Sequence, residues 1–216
     1  MQLLITAGPT WTKVDKVRVL TNRFTGRTGL YLANKLSEKG HKITLVINPH
    51  SVGKVTGINS FYFYYFAEFK KKITELLKSN NFDAIIHMAA VSDYLPRIEK
   101  KGKIPSGEKN LNISLTPAPK IIKIIRKLAK DSILIQFKLE AKKRGIIDKA
   151  YRSLEENGSD YVVANALEDL KNGYKAILID KQKNKIKISS KENLAEKLNK
   201  TILTRYRSRN GTEGSK

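Results

Sequence analysis

The sequence contains no cysteine and no long hydrophobic run. The lack of cysteine excludes a disulfide framework, a thiolate metal site and a catalytic thiol. No apolar stretch approaches the roughly 20 residues that span a bilayer. The first ten residues also lack the basic segment and the apolar stretch of a signal peptide. These absences predict a soluble, cytoplasmic protein that does not enter a membrane.

Acidic residues are scarce, since 20 Asp and Glu stand against 42 Lys and Arg and give a formal net charge of +22. Such an excess attracts polyanions, including nucleic acids, anionic lipids and phosphorylated metabolites. The lysines are spread along the chain, and no helix-turn-helix, RNA-recognition or zinc pattern is present. A solvated, lysine-rich surface is therefore favoured over specific nucleic-acid binding, although a nucleic-acid-binding module remains one alternative.

Histidines are few and scattered, at positions 41, 50 and 87, and they show no metal-ligand spacing. We therefore predict no metal site built from protein side chains. His87 lies on a predicted buried strand, where a hydrogen-bonded core residue is expected more often than a base.

Strand and helix patterns alternate along the chain. This predicts one Rossmann-like, doubly wound α/β domain with a mostly parallel sheet. The predicted strands are 2–7, 42–47, 61–66, 83–91, 111–115, 132–139 and 160–166, with a C-terminal hairpin at 174–181 and 185–189. The predicted helices are 26–39, a segment ending near residue 78, 119–130, 146–157 and a last helix that begins at a capping box formed by Ser189 and Glu192.

Two polar segments interrupt these patterns. Residues 94–109 have no apolar period and contain two prolines and two glycines, which predicts a long functional flap. The polar residues 205–216 predict a disordered tail. The domain is accordingly expected to cover residues 1–204.

Three glycines lie where the first strand turns toward the first helix: Gly8 follows the strand, and Gly26 and Gly29 open the helix. Glycines in such turns let a phosphate approach backbone N–H groups at the positive end of a helix. Glycine also serves close packing there, so the spacing alone leaves both interpretations open. The segment also resembles the dinucleotide loop of an NAD(P)-dependent short-chain-type reductase. No acidic residue ends the second strand to hold a ribose, however, which disfavours that alternative.

The loop between these glycines carries Arg18 and Asn22. Arginine suits bidentate phosphate recognition, and asparagine offers both a donor and an acceptor. A surface arginine and a turn asparagine remain the structural alternative.

Four motifs occur in order: ITAGPT from residue 5, VRVLTNxxTGRTG from residue 17, AAVSDY from residue 89 and VAN from residue 163. Together they resemble the phosphopantothenate–cysteine ligase (phosphopantothenoylcysteine synthetase) family, from residue 1 to about residue 203. GKIPS from residue 102, PKII from residue 119 and FKLE from residue 137 resemble its stand-alone forms, which lack the decarboxylase domain of the fused bacterial enzymes.

The resemblance implies a homodimeric ligase of coenzyme A biosynthesis. It would couple 4′-phosphopantothenate to cysteine through an acyl-nucleotidylate, with Mg²⁺ and a nucleoside triphosphate. Bacterial members that resemble this chain generally use CTP and eukaryotic members use ATP, and we expect CTP for this protein.

The resemblance also implies roles for particular residues. Asn22 and Lys103 would be catalytic, with Lys103 on the mobile flap. The nucleotide would contact Gly8, Gly26, Gly29, Phe137 and Asn165. Phosphopantothenate would contact Asn22, Ala89, Ala90, Asp93 and Arg18 of the neighbouring subunit.

The sequence departs from the family pattern at three positions. Phe24 replaces a serine whose hydroxyl could bond a phosphate, and Thr25 or a backbone N–H is the expected substitute. Ser153 and Asn157 occupy positions that are lysines in the fused enzymes. Arg152 and Lys138 are the candidates for supplying the missing charge.

Overall fold

The computed structural model describes residues 1–99, 102–107 and 109–211. Within these residues the strands are β1 (Gln2–Ala7), β2 (Trp11–Lys13), β3 (Val19–Thr21), β4 (Lys42–Ile47), β5 (Asn59–Tyr62), β6 (Ala84–His87), β7 (Tyr94–Pro96), β8 (Leu115–Pro117), β9 (Ile133–Glu140), β10 (Tyr161–Ala166), β11 (Ala176–Asp180) and β12 (Lys185–Ile188). The helices are α1 (Arg27–Glu38), α2 (Phe66–Ser79), α3 (Ile121–Leu128), α4 (Ile146–Asn157) and α5 (Lys191–Arg209), with 3₁₀ turns at Pro49–Ser51 and Leu167–Asn172. None of these helices is both long enough and apolar enough to cross a membrane.

The central sheet has the strand order β12-β11-β10-β9-β6-β1-β4-β5. The strands from β10 to β5 are all parallel. The hairpin β11–β12 continues the sheet in antiparallel pairing. The predicted Rossmann-like α/β fold with its C-terminal hairpin is therefore confirmed.

Helices cover both faces of the sheet because its strands are apolar on both sides. Leu3 and Ile5 pack into one cluster with residues of α1 and α5, such as Leu32 and Leu198. Leu4, on the opposite face of the same strand, packs with α2 and α3. The helix α4 buries Ile146, Ala150 and Leu154, spaced four residues apart, against β10. This three-layer core holds the strand ends that form the candidate site.

The predicted bounds of β1, β4 and α4 are confirmed, whereas the aromatic segment at 61–66 is partly wrong. The strand there ends at Tyr62, and Phe66 already belongs to α2. The Glu68 carboxylate accepts hydrogen bonds from the backbone amides of Tyr64 and Tyr65 at 2.9 and 3.2 Å, which fixes the helix start. A run of aromatic residues is compatible both with a strand and with the first turn of a helix. The capping contact of Glu68 therefore determines where the helix begins.

The predicted strand at 83–91 is also too long, because β6 ends at His87. The predicted flap contains β7, which pairs with β8, so the strand expected at 111–115 lies at 115–117 instead. Residues 100, 101 and 108 of the predicted flap lie outside the described residues.

The last helix differs from its prediction at both ends. Its N-cap is Ser190, whose Oγ accepts a hydrogen bond from the Asn193 amide at 3.0 Å, and not Ser189. Glu192 accepts a hydrogen bond from the Tyr31 hydroxyl at 3.0 Å instead of completing a capping box. The helix continues to Arg209, past the predicted domain boundary at 204. Residues 212–216 of the predicted tail lie outside the described residues.

Candidate functional site

The candidate site lies where the strand order reverses. The strand β1 has β4 on one side and β6 on the other. The chain adds β4 and β5 on the first side and then β6, β9 and β10 on the second. A ligand crevice is expected at this edge of the sheet, and the segments after β1 and β6 stay paired there through Pro9 and Ala90. Two adjoining cavities occupy this edge.

Two glycines bring the N-terminus of α1 against the end of β1. A Cβ at Gly26 would lie 2.9 Å from the backbone nitrogen of Gly8, and Gly26 also has a φ of +77°. A Cβ at Gly29 would clash with the side chain of Ala7. Close packing therefore requires both glycines. The same packing brings the first turn of α1, which has no side-chain cap, to the wall of the smaller cavity.

The smaller cavity has a volume of about 210 Å³. All five residues that the family resemblance assigns to the nucleotide line it: Gly8, Gly26, Gly29, Phe137 and Asn165. Phe24 and Thr25 also border it, together with Tyr174, which sequence reasoning missed because it precedes β11 far along the chain. Burial raises the pKa of the Tyr174 phenol, so the phenol is a neutral hydroxyl at neutral pH.

The larger cavity, of about 500 Å³, shares Ala89 and Phe137 with the smaller one. Asp93 lies on its rim, where its carboxylate accepts a hydrogen bond from Lys120 Nζ at 2.5 Å. Of the residues expected to hold phosphopantothenate, Ala89 borders both cavities, Asp93 the larger and Ala90 the smaller. The two predicted groups of ligand-binding residues are thus neighbours.

Asn22 is held against the segment that joins the two cavities. Its Nδ2 donates a hydrogen bond to the carbonyl oxygen of Ala90 at 3.1 Å. The Ala90 amide in turn donates to the Gly8 carbonyl at 2.9 Å. Within the described residues, Asn22 Oδ1 has no hydrogen-bond partner, so it is available to a ligand.

A group of hydroxyls fixes the loop after β6. The Thr10 hydroxyl accepts a hydrogen bond from the Ser92 amide at 2.8 Å and lies 2.9 Å from the Ser92 hydroxyl. Thr12 donates to the same Ser92 Oγ at 3.1 Å. Sequence reasoning did not single out these residues. Their signal is weak because hydroxyls 80 residues apart show no pattern before the strands are placed side by side.

Three predicted site residues line neither cavity: Asn22, which is anchored beside both through Ala90, and Arg18 and Lys103, which lie farther away. The Arg18 guanidinium contacts the Asp15 carboxylate at 2.5 Å and the Ile104 carbonyl at 3.2 Å. Lys103 is exposed on the flap. The structure therefore places these two residues together, beside the β2–β3 turn, and separate from the other predicted site residues.

Asp15 organises this contact. It is 2% exposed and accepts hydrogen bonds from the backbone amides of Ile104, Val17 and Arg18. The Ile104 amide has the largest influence on the pKa of the Asp15 carboxyl, and together with the other donors it lowers that pKa well below its usual range, against the opposing effect of burial.

Ser153 and Asn157 belong to an uncharged network in the wall of the larger cavity. The Oε1 of the buried Gln136 accepts hydrogen bonds from Asn157 Nδ2 and Ser159 Oγ, both at 3.0 Å. Its Nε2 donates to Ser153 Oγ at 3.2 Å. The positions that carry lysines in the fused enzymes therefore support a buried amide here.

The cations nearest to this network differ in their pairing. Lys138 and Lys149 both lie close to Glu140, at 3.4 and 2.9 Å, and Lys149 followed by Lys138 lowers the pKa of that carboxyl. Arg152 borders the same cavity, and within the described residues no carboxylate lies within 4 Å of it. Of the two candidates for the missing charge, Arg152 is the better placed.

No group of three or more His, Asp or Glu side chains that could hold a metal ion occurs in the described part of the chain. Asp93, Glu140 and Glu156 line the larger cavity, where Asp93 is paired with Lys120 and Glu140 with Lys138 and Lys149. Mg²⁺ is commonly bound through one or two carboxylates, several waters and the phosphates of a nucleotide. None of the described carboxylates lines the smaller cavity, so a magnesium ion that arrives with a nucleoside triphosphate would be held there mainly by phosphates and waters.

Several known proteins are similar to this chain. Residues 1–206 match the family model described as the DNA/pantothenate metabolism flavoprotein C-terminal domain. The coenzyme A biosynthesis bifunctional protein CoaBC of Thermococcus kodakarensis is 32% identical over 169 residues, which is 77% of this chain and 41% of that relative. This chain thus matches less than half the length of that relative.

Two solved structures share the fold. The DNA/pantothenate metabolism flavoprotein from Streptococcus pneumoniae superimposes with a TM-score of 0.85 over 95% of this chain and 99% of that chain, at 24% identity. A Cab2 mutant in complex with phosphopantothenate-cysteine superimposes with a TM-score of 0.78 over 96% of this chain and 86% of that chain, at 17% identity. Because the family match extends over nearly the whole described fold, the chain belongs to the family of the DNA/pantothenate metabolism flavoprotein C-terminal domain.

Proposed function

We propose that this chain is a phosphopantothenate–cysteine ligase of coenzyme A biosynthesis. The observation that carries the proposal is the pair of adjoining cavities that share Ala89 and Phe137, with Asn22 anchored beside them. Such an arrangement suits a reaction in which two large substrates meet at one point. The family membership and the coenzyme A role in the name of the Thermococcus relative support the same activity.

The nucleoside triphosphate is proposed to bind in the smaller cavity with Mg²⁺. The first turn of α1 supports this: its N-cap Gly26 has no side chain, the Thr25 hydroxyl accepts a hydrogen bond from the Arg27 amide at a long 3.4 Å, and the positive dipole of the helix favours an anion. The side chain of Phe137 supplies an apolar wall for a base or ribose. We propose CTP as the nucleotide rather than ATP, as the resemblance to the CTP-using members of the family implies.

4′-Phosphopantothenate is proposed to occupy the larger cavity, with its carboxylate directed toward Asn22. This cavity is lined by residues from Ala89 to α4, and Arg152 provides positive charge for a phosphate. The carboxylate and the triphosphate then meet at the wall that the two cavities share.

The reaction requires two displacements. A carboxylate oxygen of phosphopantothenate attacks the α-phosphorus of the triphosphate and expels pyrophosphate, which creates an acyl-nucleotidylate. The amine of cysteine then attacks the acyl carbon, loses a proton and expels the nucleoside monophosphate. Negative charges are brought together in the first step, so Mg²⁺ serves as the ion that neutralises the phosphates. Lys103 would add positive charge when the flap closes, and closure would exclude water from the intermediate.

A homodimer is part of this proposal. Val17 and Leu20, on either side of Arg18, are 66% and 40% exposed, and Ile98 on the flap is 70% exposed. Exposed apolar residues on two neighbouring β-hairpins favour a contact with a second copy of the chain. Arg18 lies within this surface, where it could reach a neighbouring subunit.

An isotope-transfer experiment tests the proposed intermediate. Phosphopantothenate labelled with ¹⁸O in its carboxylate should pass one ¹⁸O to the released nucleoside monophosphate, because the attacking oxygen stays on phosphorus. Release of a nucleoside diphosphate and labelled inorganic phosphate would instead indicate an acyl phosphate, and the proposed mechanism would be wrong.

The reductase alternative receives no support from the site. Asn48 follows β4 at the position where such a reductase has an acidic ribose ligand. Its side chain donates to the Pro9 carbonyl at 2.7 Å and accepts from the His50 amide at 2.9 Å. The donor and the acceptor of the Asn48 side-chain amide are therefore both used in hydrogen bonds that fix the loop.

A further inference from the structure

His87 is a buried residue at the carboxyl end of β6 to which the proposed mechanism gives no role. Its cross-strand neighbour on β1 is Thr6, and the Thr6 hydroxyl lies 2.8 Å from His87 Nδ1. One face of the ring stacks on Phe69 of α2. The side chain is thus held firmly in one orientation.

The hydrogen bonds of Thr6 decide which ring nitrogen carries the proton. Thr6 is fully buried, and its Oγ1 accepts a hydrogen bond from the Ala89 amide at 3.3 Å. In the described part of the chain, the only acceptor within reach of the Thr6 hydroxyl proton is His87 Nδ1. Since a buried hydroxyl proton needs an acceptor, Nδ1 accepts it and Nε2 carries the ring hydrogen.

The ring remains uncharged under ordinary conditions, because burial lowers the pKa of His87 to about 4. A neutral imidazole that carries its hydrogen on Nε2 and accepts the Thr6 hydroxyl at Nδ1 can form one further hydrogen bond. In that bond Nε2 is the donor.

The donor faces the larger cavity. His87 lines that cavity beside Gln136, its register neighbour on β9. Among the described residues, Nε2 has no hydrogen-bond partner, and it is not one of the ring nitrogens sealed away from solvent. A firmly held donor that opens on a cavity and has no protein acceptor is placed to donate to a ligand bound there. Arg152 on the same wall has no carboxylate within 4 Å among the described residues, which favours an anionic acceptor.

We propose that His87 is a substrate-binding residue whose Nε2–H donates a hydrogen bond to a phosphoryl oxygen in the larger cavity. The oxygen belongs either to phosphopantothenate in the larger cavity or to a phosphate of the nucleoside triphosphate that extends past the wall shared by the two cavities, so the inference rests on the proposed function for the identity of these two substrates. Thr6 is the positioning residue, since it selects the tautomer.

Nitrogen-15 NMR of the wild-type protein tests the proposal directly, since the sequence has only three histidines. The His87 signals are assigned by their loss in His87→Gln, with His41 and His50 as internal controls. We expect a neutral Nε2–H tautomer from pH 6 to 8, and a shift of the Nε2 signal on addition of either CTP or 4′-phosphopantothenate. The substrate that causes the shift identifies the source of the oxygen. A protonated ring, an Nδ1–H tautomer, or no shift with either substrate at saturation would overturn the proposal.

Kinetics provide a second test with a matched pair of variants. Glutamine can place an amide N–H near the position of Nε2, whereas leucine fills space without a donor. His87→Leu should raise the KM of one phosphorylated substrate about tenfold or more, as expected for the loss of a hydrogen bond to a charged group, and His87→Gln should restore most of it. Equal KM values in wild type and both variants would show that His87 has only a structural role.

The two proposals can fail separately. A protein that shows the NMR shift but releases no pyrophosphate retains the His87 inference and loses the ligase proposal. A protein that releases pyrophosphate without any shift of His87 retains the ligase proposal and loses the inference.

Discussion

The Asp15 carboxylate accepts a hydrogen bond from the backbone amide of Ile104 at 3.0 Å, which joins the β2–β3 hairpin to the flap. Three further donors, the amides of Val17 and Arg18 and the Arg18 guanidinium, surround the same carboxylate. The hairpin tip and the flap are therefore held as one unit.

We expect Asp15→Asn to release this contact, because an amide has one acceptor oxygen where the carboxylate has two. Hydrogen exchange of residues 102–107 should increase in the variant, and Glu38→Gln, which disrupts only an exposed pair with Lys35, is the control. Since the pKa of Asp15 is lowered, the carboxylate is charged throughout the neutral range, and the difference should be the same at pH 5 and pH 8. Unchanged exchange at both pH values would show that Asp15 does not hold the flap.

Lys103→Gln should leave folding intact and slow the reaction by about a hundredfold. The residue is exposed, so its replacement creates no cavity. A cation that acts on charge developed in the transition state typically contributes on the order of 3 kcal/mol. The measurement is turnover at saturating substrates, with Lys109→Gln on the same flap as the matched control. Small and equal losses of turnover in both variants would show that Lys103 contributes only to the general positive charge of the surface.

Arg18 is predicted to act in the site of a neighbouring subunit. Arg18→Ala and Asn22→Ala should each be inactive alone, and mixed subunits should regain partial activity, because one hybrid site keeps both side chains. The assay requires confirmed hybrid dimers, with each variant mixed with itself as the control. If confirmed hybrids show no recovery, Arg18 acts within its own subunit or outside the reaction.

Asp160 is predicted to be the most important charge for stability. Its carboxylate, 4% exposed, accepts hydrogen bonds from the Leu134 amide at 2.9 Å, from Arg126 and Arg209 at 3.0 Å and from Lys181 at 3.1 Å. Asp160→Asn leaves these partly buried cations without their counter-charge. We expect a loss of about 3 kcal/mol in the free energy of unfolding, measured in urea against Asp148→Asn at an exposed position of α4 as the control. A loss below about 1 kcal/mol, typical of surface ion pairs, would contradict this account.

The same residue predicts a pH dependence. Burial acts to raise the pKa of Asp160, but the Leu134 amide and the cations Lys181 and Arg126 lower it overall. A carboxyl with a lowered folded-state pKa stabilises the fold above its unfolded pKa of about 3.9, and that contribution disappears as the pH falls through the folded value. The stability difference between wild type and Asp160→Asn should therefore be constant above pH 5 and shrink below pH 4.

Much of the fold could be predicted from local pattern. The bounds of α4 could be predicted correctly because its apolar residues follow a 3.6-residue period and Gly145 and Gly158 flank it. The β2–β3 hairpin could not, since each strand has three residues and the pairing depends on contacts with the flap. The predicted end of the C-terminal helix is too early because its last turn is polar, and Arg209 is held by the distant Asp131 carbonyl and by Asp160.

The candidate site was predictable to a smaller extent. Motif resemblance placed Asn165 and Phe137 at one cavity, although local pattern gives neither residue a role. The Thr6–His87 pair and the position of Tyr174 could not be predicted, because they depend on strand order and on side chains brought together from distant parts of the chain. The charge lost at Ser153 and Asn157 was visible in the sequence, but the hydrogen bonds that these two side chains make with the buried Gln136 required the packed structure.

Substrate-dependent pyrophosphate release tests the central claim most directly. The purified protein is incubated with Mg²⁺, 4′-phosphopantothenate, cysteine and each of the four nucleoside triphosphates in turn, and the coupled product is identified by mass. We predict pyrophosphate release with CTP that requires phosphopantothenate, together with formation of phosphopantothenoylcysteine, and a loss of activity when Mg²⁺ is removed. Absence of pyrophosphate and of the coupled product with every triphosphate would contradict the assignment of this chain as a ligase.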